Sequence, residues 1–139
     1  RLVGSEMCIR DRQNRRHLFL ELAEPGTSFG IAGTSLILNS ADASIAWHTG
    51  FAAALPREWV AFRAAAAARD VELVDRWRRA FSPLIEVLRW ERPLSSLYAL
   101  NDICGMRTAP PRRPLHPVGT PSRERIRSAV RDLRAEMQQ

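Results

Sequence analysis

Lysine is missing altogether: all 21 basic residues of this 139-residue chain are arginine. Without an ε-amine, no side chain of this polypeptide can attack a carbonyl carbon to form an imine, and lysine-centred covalent catalysis is excluded. Cysteine is almost as scarce. Of the two thiols, Cys8 falls in a segment set aside below, which leaves Cys104, and one cysteine cannot staple a chain internally. A chain without a disulfide framework has a reducing, cytoplasmic compartment as its default. No apolar run reaches membrane-spanning length and no stretch has the pattern of a secretory signal, so no membrane partner is expected. The three histidines, His17, His48 and His116, share no ligand spacing, and no metal is expected. A nucleophile elbow of the G-x-S-x-G type is also missing.

What is present is globular material, 45% hydrophobic, amounting to about one small domain. The formal net charge is +6, yet the arginines alternate with acids, as in "RDVELVDRWRR" and "SRERIRSAVRDLRAE". Such helical faces are solvated surface, so no nucleic-acid partner is expected. With the alanine excess, arginine without lysine reads as GC-rich coding. The first twelve residues, "RLVGSEMCIRDR", translate back from their second codon into a transposase adapter used to tag DNA libraries. They are therefore set aside as an artefact outside the fold. Removing Arg1, Arg10 and Arg12 against Glu6 and Asp11 takes +6 to +5. The expectation is that coding sequence continues upstream and that this is the C-terminal part of something longer.

Arg12 to Ala23 carries Leu18, Phe19 and Leu22 at helical spacing, ended by "EPGT". "SFGIAG" (Ser28–Gly33) and "SIAWHTG" (Ser44–Gly50) are apolar runs bounded by glycine, which predict buried strands of a parallel sheet. "TSLILNSADA" between them allows a helical turn or two. Pro56 precedes "REWVAFRAAAAA", whose alanines favour helix. Asp70 predicts an N-cap for a helix over Val71–Trp90, with Leu73, Trp77, Ala80, Phe81, Leu84 and Leu88 as its apolar stripe and Pro83 bending it. Pro93 opens the next helix and Gly105 closes it. "RTAPPRRPLHPVGTP" is an irregular connector, and Thr120 with Pro121 starts a last helix buried through Ile126, Val130, Leu133 and Met137. This order, strand–helix units followed by helices alone, predicts an α/β fold. It is how a (β/α) barrel ends when a C-terminal three-helix domain follows it: residues 13–69 the end of the barrel, 70–139 the helical domain.

The residues resemble a family at this point. "FGIAG" followed by "AWHTGFAAALPREWVAFRAAAAARD" is similar to the last two strands of the dihydrodipicolinate synthase / N-acetylneuraminate lyase family, where a strand ending in Ser/Ala-Gly precedes one reading roughly "GxISGxANxxP". "FSPLIEVL", "LSSLYALNDICGM" and "RRPLHPV" resemble that family's C-terminal helices and Arg-Pro-Pro-Leu-x-Pro connector. The series is colinear over nearly all of residues 13–137. The resemblance implies a TIM barrel, a pyruvate-dependent lyase or aldolase and a homo-oligomer. It also implies a keto-acid substrate held as a Schiff base on a sixth-strand lysine, with no separate cofactor. Because this chain has no lysine, the resemblance implies a catalytically incomplete fragment whose lysine lies upstream.

Active sites of such barrels lie at the carboxyl ends of strands. By resemblance, Gly33 matches a glycine whose backbone lies beside the bound keto acid. His48 matches a position whose main chain faces the Schiff-base pocket, and Thr34 and Ser35 sit where the family meets the substrate's distal end. Each residue also has a plainer reading. Gly33 permits a turn, His48 beside Trp47 packs as an ordinary side chain, and Thr34 and Ser35 cap the following turn. The chain departs from the family as well. "SADAS" replaces the usual glycines and the connection between strands is about two residues short. Ala53 stands for a common asparagine, and Tyr98 for a frequent lysine. From another functional class, a non-enzymatic helical interaction module would make the two apolar runs core helices. Two strands without neighbours leave edges open, so residues 13–56 are expected to be poorly stable alone and residues 70–137 to hold together.

Overall fold

A computed structural model describes residues 30–138, which run β1 (Gly30–Ala32), α1 (Thr34–Ser40), β2 (Ala46–His48), α2 (Phe51–Ala54), α3 (Pro56–Ala68), α4 (Val71–Trp90), α5 (Pro93–Ile103) and α6 (Thr120–Gln138). The adapter-like segment and the helix expected over Arg12–Ala23 lie outside the described residues. The helix boundaries follow local chemistry. Asp70 caps α4 by accepting the Leu73 N–H at 3.0 Å. Gly105 leaves α5 with φ +89°, and the Met106 N–H returns to the Asn101 carbonyl at 2.9 Å, the bond of a Schellman stop. Arg69 ends α3 in the same left-handed region, with Asp70 N–H bonded to Ala65 O at 3.1 Å. So α3 and α4 turn a corner within two residues.

Helix α4 runs unbroken through Pro83 and packs against α1, α3, α5 and α6. Its buried face is Val74, Trp77, Ala80, Phe81, Leu84, Ile85 and Leu88. Leu73, expected in that stripe, is only half-buried, and Val74 and Ile85 take the additional places. One aromatic cluster joins the elements. Trp59 of α3 stacks on Phe81 of α4 at 4.7 Å between ring centroids, and Trp47 of β2 meets Phe62 of α3 at 5.1 Å. Each such pair adds about 0.5–1.5 kcal/mol beyond the burial of its area.

The expected fold class needs correction. The described residues form no (β/α)8 barrel end: they are predominantly helical, with a single two-stranded parallel sheet. A TIM barrel closes only when eight strands pair around it, and two strands of three residues each are what the apolar runs deliver. The amphipathic stripes of α3 to α6 bury one another instead, and one core cluster runs across residue 70.

Candidate functional site

The sheet places two chain ends side by side. β1 and β2 pair in parallel with Gly30 opposite Ala46, Ile31 opposite Trp47 and Ala32 opposite His48. Their carboxyl ends therefore emerge on the same edge, where parallel α/β sheets carry ligands. Alternation along β2 turns Trp47 to the core and leaves Ala46 and His48 exposed on the other face.

At that edge Gly33 takes φ 108° and ψ 123°, a conformation glycine adopts without a Cβ clash. Its N–H donates to the His48 carbonyl at 3.1 Å. Directly beyond, the hydroxyls of Thr34 and Thr49 are 2.7 Å apart. Thr49 Oγ1 also accepts the Phe51 N–H at 3.3 Å, which fixes the turn into α2. Gly33, Thr34 and His48 are thus brought together. The main-chain carbonyl of His48 is spent on Gly33, however, and its ring lies back across β1. A methyl group placed on Gly30 would come within 2.5 Å of His48 Nε2.

Ser35 goes elsewhere. It lines a cleft of about 660 Å³ between α1 and α4, together with Asn39, Ser82, Arg89 and Trp90. One step along a helix turns a side chain by about 100°, enough to part Ser35 from Thr34.

Two arginines hold this region from the helices. Arg63 of α3 donates to the carbonyls of Ala43 at 2.8 Å and Ile45 at 2.9 Å, while its guanidinium sits 5.1 Å from the Trp47 ring centre. Arg78 of α4 donates to two carbonyls in the last turn of α1, Leu38 at 2.7 Å and Asn39 at 3.0 Å. Trp47 Nε1 adds a bond to the Asp42 carbonyl at 2.7 Å. Neither Thr49 nor these arginines stood out in the sequence. The one available signal is that Arg63 is the lone charge in "VAFRAAAAA", which marks a position with a task.

No protein-family model, curated protein or solved structure matches the chain. The site is accordingly read from its own chemistry. Burial pushes the Cys104 thiol above its ordinary value, so the neutral thiol predominates and it is a poor nucleophile. Among the described residues no three His, Cys, Asp or Glu side chains converge, and no helix is long and apolar enough to cross a membrane. The side-chain polar groups at the strand ends are the two hydroxyls of Thr34 and Thr49, while the exposed His48 imidazole lies back toward Gly30.

Proposed function

We propose that this chain is the C-terminal part of a Schiff-base-forming, pyruvate-dependent lyase or aldolase similar to dihydrodipicolinate synthase. It would act in the cytoplasm as a homo-oligomer on a small keto acid. Its own contribution is the edge at Gly33, Thr34 and His48 and the helical cluster behind it. The imine-forming amine must come from a lysine that this chain does not contain. One observation carries the reading. The two strand ends that the resemblance assigns to a keto-acid site lie side by side in one parallel sheet, hydrogen-bonded through Gly33 N–H and His48 O. The apolar runs that a helical module would make core helices contain those strands.

The test is borohydride reduction in the presence of pyruvate, applied to the product of the gene read upstream of residue 13. The expected result is a pyruvate adduct on a lysine outside this chain and no lysine adduct or turnover in the 139-residue chain alone. A complete gene product that forms no pyruvate-dependent lysine adduct refutes the reading.

The helical interaction module keeps one observation in its favour. Trp90 at the end of α4 is 84% exposed and Leu94, four residues on in α5, 58%. It predicts that Trp90→Ala abolishes a protein association and leaves pyruvate chemistry of the longer product unchanged.

A further inference from the structure

Another cavity, of about 610 Å³, lies where α3 starts and α5 and α6 end. Its apolar lining includes Ala54, Trp77 and Leu133, which are core side chains. Met137 adds a flexible, polarisable chain that moulds itself to what it meets. A further cavity of about 420 Å³ shares Arg134 and Gln138 with the first and continues along α6 over Val130 and Ile103. Between Val130 and Met137 a helix rises about 10 Å, so the joined floor is a long apolar trough.

The rim of the trough is basic. Among the described residues Arg57, Arg127, Arg131 and Arg134 line it against a single acid, Glu58. Arg134 is committed to Glu58 at 3.0 Å, and Arg127 to Glu124. Arg57, exposed at the start of α3, has no ion pair or side-chain hydrogen bond among the described residues. Its charge stands unanswered at the mouth of an apolar trough. Cys104 belongs to the same place: after burial, the charges of Arg134 and Glu58 are what act on its thiol.

An occupant has to answer both features. An alkyl chain fits the floor, and an oxyanion at its end fits a free guanidinium through a bond charged on both sides. An inorganic anion leaves the floor uncovered, and a hydrocarbon leaves Arg57 unpaired. We propose that this trough binds a free medium-chain aliphatic carboxylate, its head group on Arg57 and its chain over Trp77, Leu133 and Met137. The inference is independent of the keto-acid reading, because the trough shares no residue with the strand ends at Gly33, Thr34 and His48.

The experiment follows alkylation of Cys104 by iodoacetamide in the full chain carrying Cys8→Ser, which leaves one thiol. The probe is decanoate below its micelle concentration. Bound decanoate is expected to cover the thiol and slow its alkylation about 10-fold. Acetate has the charge without the chain, and decyltrimethylammonium the chain without the negative charge; each should leave the rate within about 2-fold. Arg57→Gln should weaken decanoate about 10-fold, and Ala61→Phe, at an exposed position lining the trough, should fill it and abolish protection. Pyruvate should protect nothing here, so failure of this site and failure of the keto-acid site are read separately. Alkylation that decanoate does not slow overturns the proposal, as does equal protection by acetate or by the cationic chain. None of those comparisons needs a variant within the trough to fold. Protection of Arg57→Gln at wild-type strength overturns the head-group assignment. Protection by anionic phospholipid vesicles but not by monomeric decanoate makes the trough a membrane surface and overturns the proposal as well.

Discussion

The strand region before Pro56 and the helical cluster after it are held by different forces. Among the described residues, the buried apolar ones before Pro56 are Ile37, Leu38, Ala54 and Leu55; the rest lie in α3 to α6. Besides the packing of Ile31 and Trp47 on the core, this region is tied by polar side chains reaching carbonyls of α1 and of the α1–β2 connection: Arg63 to Ala43 and Ile45, Arg78 to Leu38 and Asn39, and Trp47 Nε1 to Asp42. Apolar burial is cooperative and non-directional, whereas a few guanidinium bonds are directional and each is lost singly. The comparison teaches that, among the described residues, the candidate site sits where fewest buried side chains lie, and that helices α3 and α4 supply the arginines that hold it.

Removing the shared aromatic centre should break both regions. Phe81 is 1% exposed and contacts Trp59, Phe62 and Trp77. Phe81→Ala is expected to cost about 3–5 kcal/mol, read as a lower denaturant midpoint with unchanged slope. Arg63→Ala should separate them. It removes two charge-assisted bonds and the cover of Trp47, and so opens residues 43–48 by about 1–2 kcal/mol in amide exchange. Protection of the buried turns of α4 should stay within error. Equal loss of protection in both regions would show that they form one cooperative unit.

The helical region was legible because its signals are local. The Asp70 cap, the Gly105 stop and the period-3.6 stripe of α4 each need only neighbouring residues, and they appear where the sequence puts them. Helix α6 begins at Thr120, with the Arg123 N–H bonded to the Gly119 carbonyl at 3.0 Å. The strands were legible as glycine-bounded apolar runs but not in extent, since a strand's length is set by its neighbours, and among the described residues each has one. The barrel expectation failed for the same reason: closure depends on pairing partners that local pattern does not reveal. The site was half legible. Gly33, Thr34 and His48 converge, whereas Ser35 turns to the α1–α4 cleft, because the rotation of a short helix decides its direction. Thr49 and Arg63 act through contacts 15 and 18 residues away, distances over which sequence pattern is silent.

Glu91 gives the helical region an acid-sensitive tie of its own. Glu91 lies at the end of α4, where hydrogen bonds from Ser122 and then Arg125 hold its carboxyl below the ordinary glutamate value. A lowered folded pKa means stability that is present above the unfolded value and lost as pH falls through the folded one. Glu91→Gln should therefore flatten the acid limb of the α4–α6 unfolding transition and leave the neutral-pH behaviour of residues 43–48 unchanged. An unchanged acid limb would place the acid sensitivity elsewhere.

The smallest expected effect gives the sharpest contrast, because the same chemical change is available once in each region. Ala41 closes α1 with φ 45° and Arg69 closes α3 with φ 57°, and both are non-glycine residues in left-handed backbone. Relief of Cβ strain by glycine is partly offset by the added freedom of the unfolded chain, leaving a net gain of about 0.5–1 kcal/mol. At Arg69, between two helices of the core cluster, that gain should appear in the global transition as a Tm rise of about 2–6 °C. At Ala41, beside the polar ties of Asp42 and Ala43, it should appear as slower local amide exchange through residues 41–48 with little change in Tm. A Tm rise of the same size from both variants would mean that the strand edge unfolds only with the helices. The site would then be as rigid as the core that positions it.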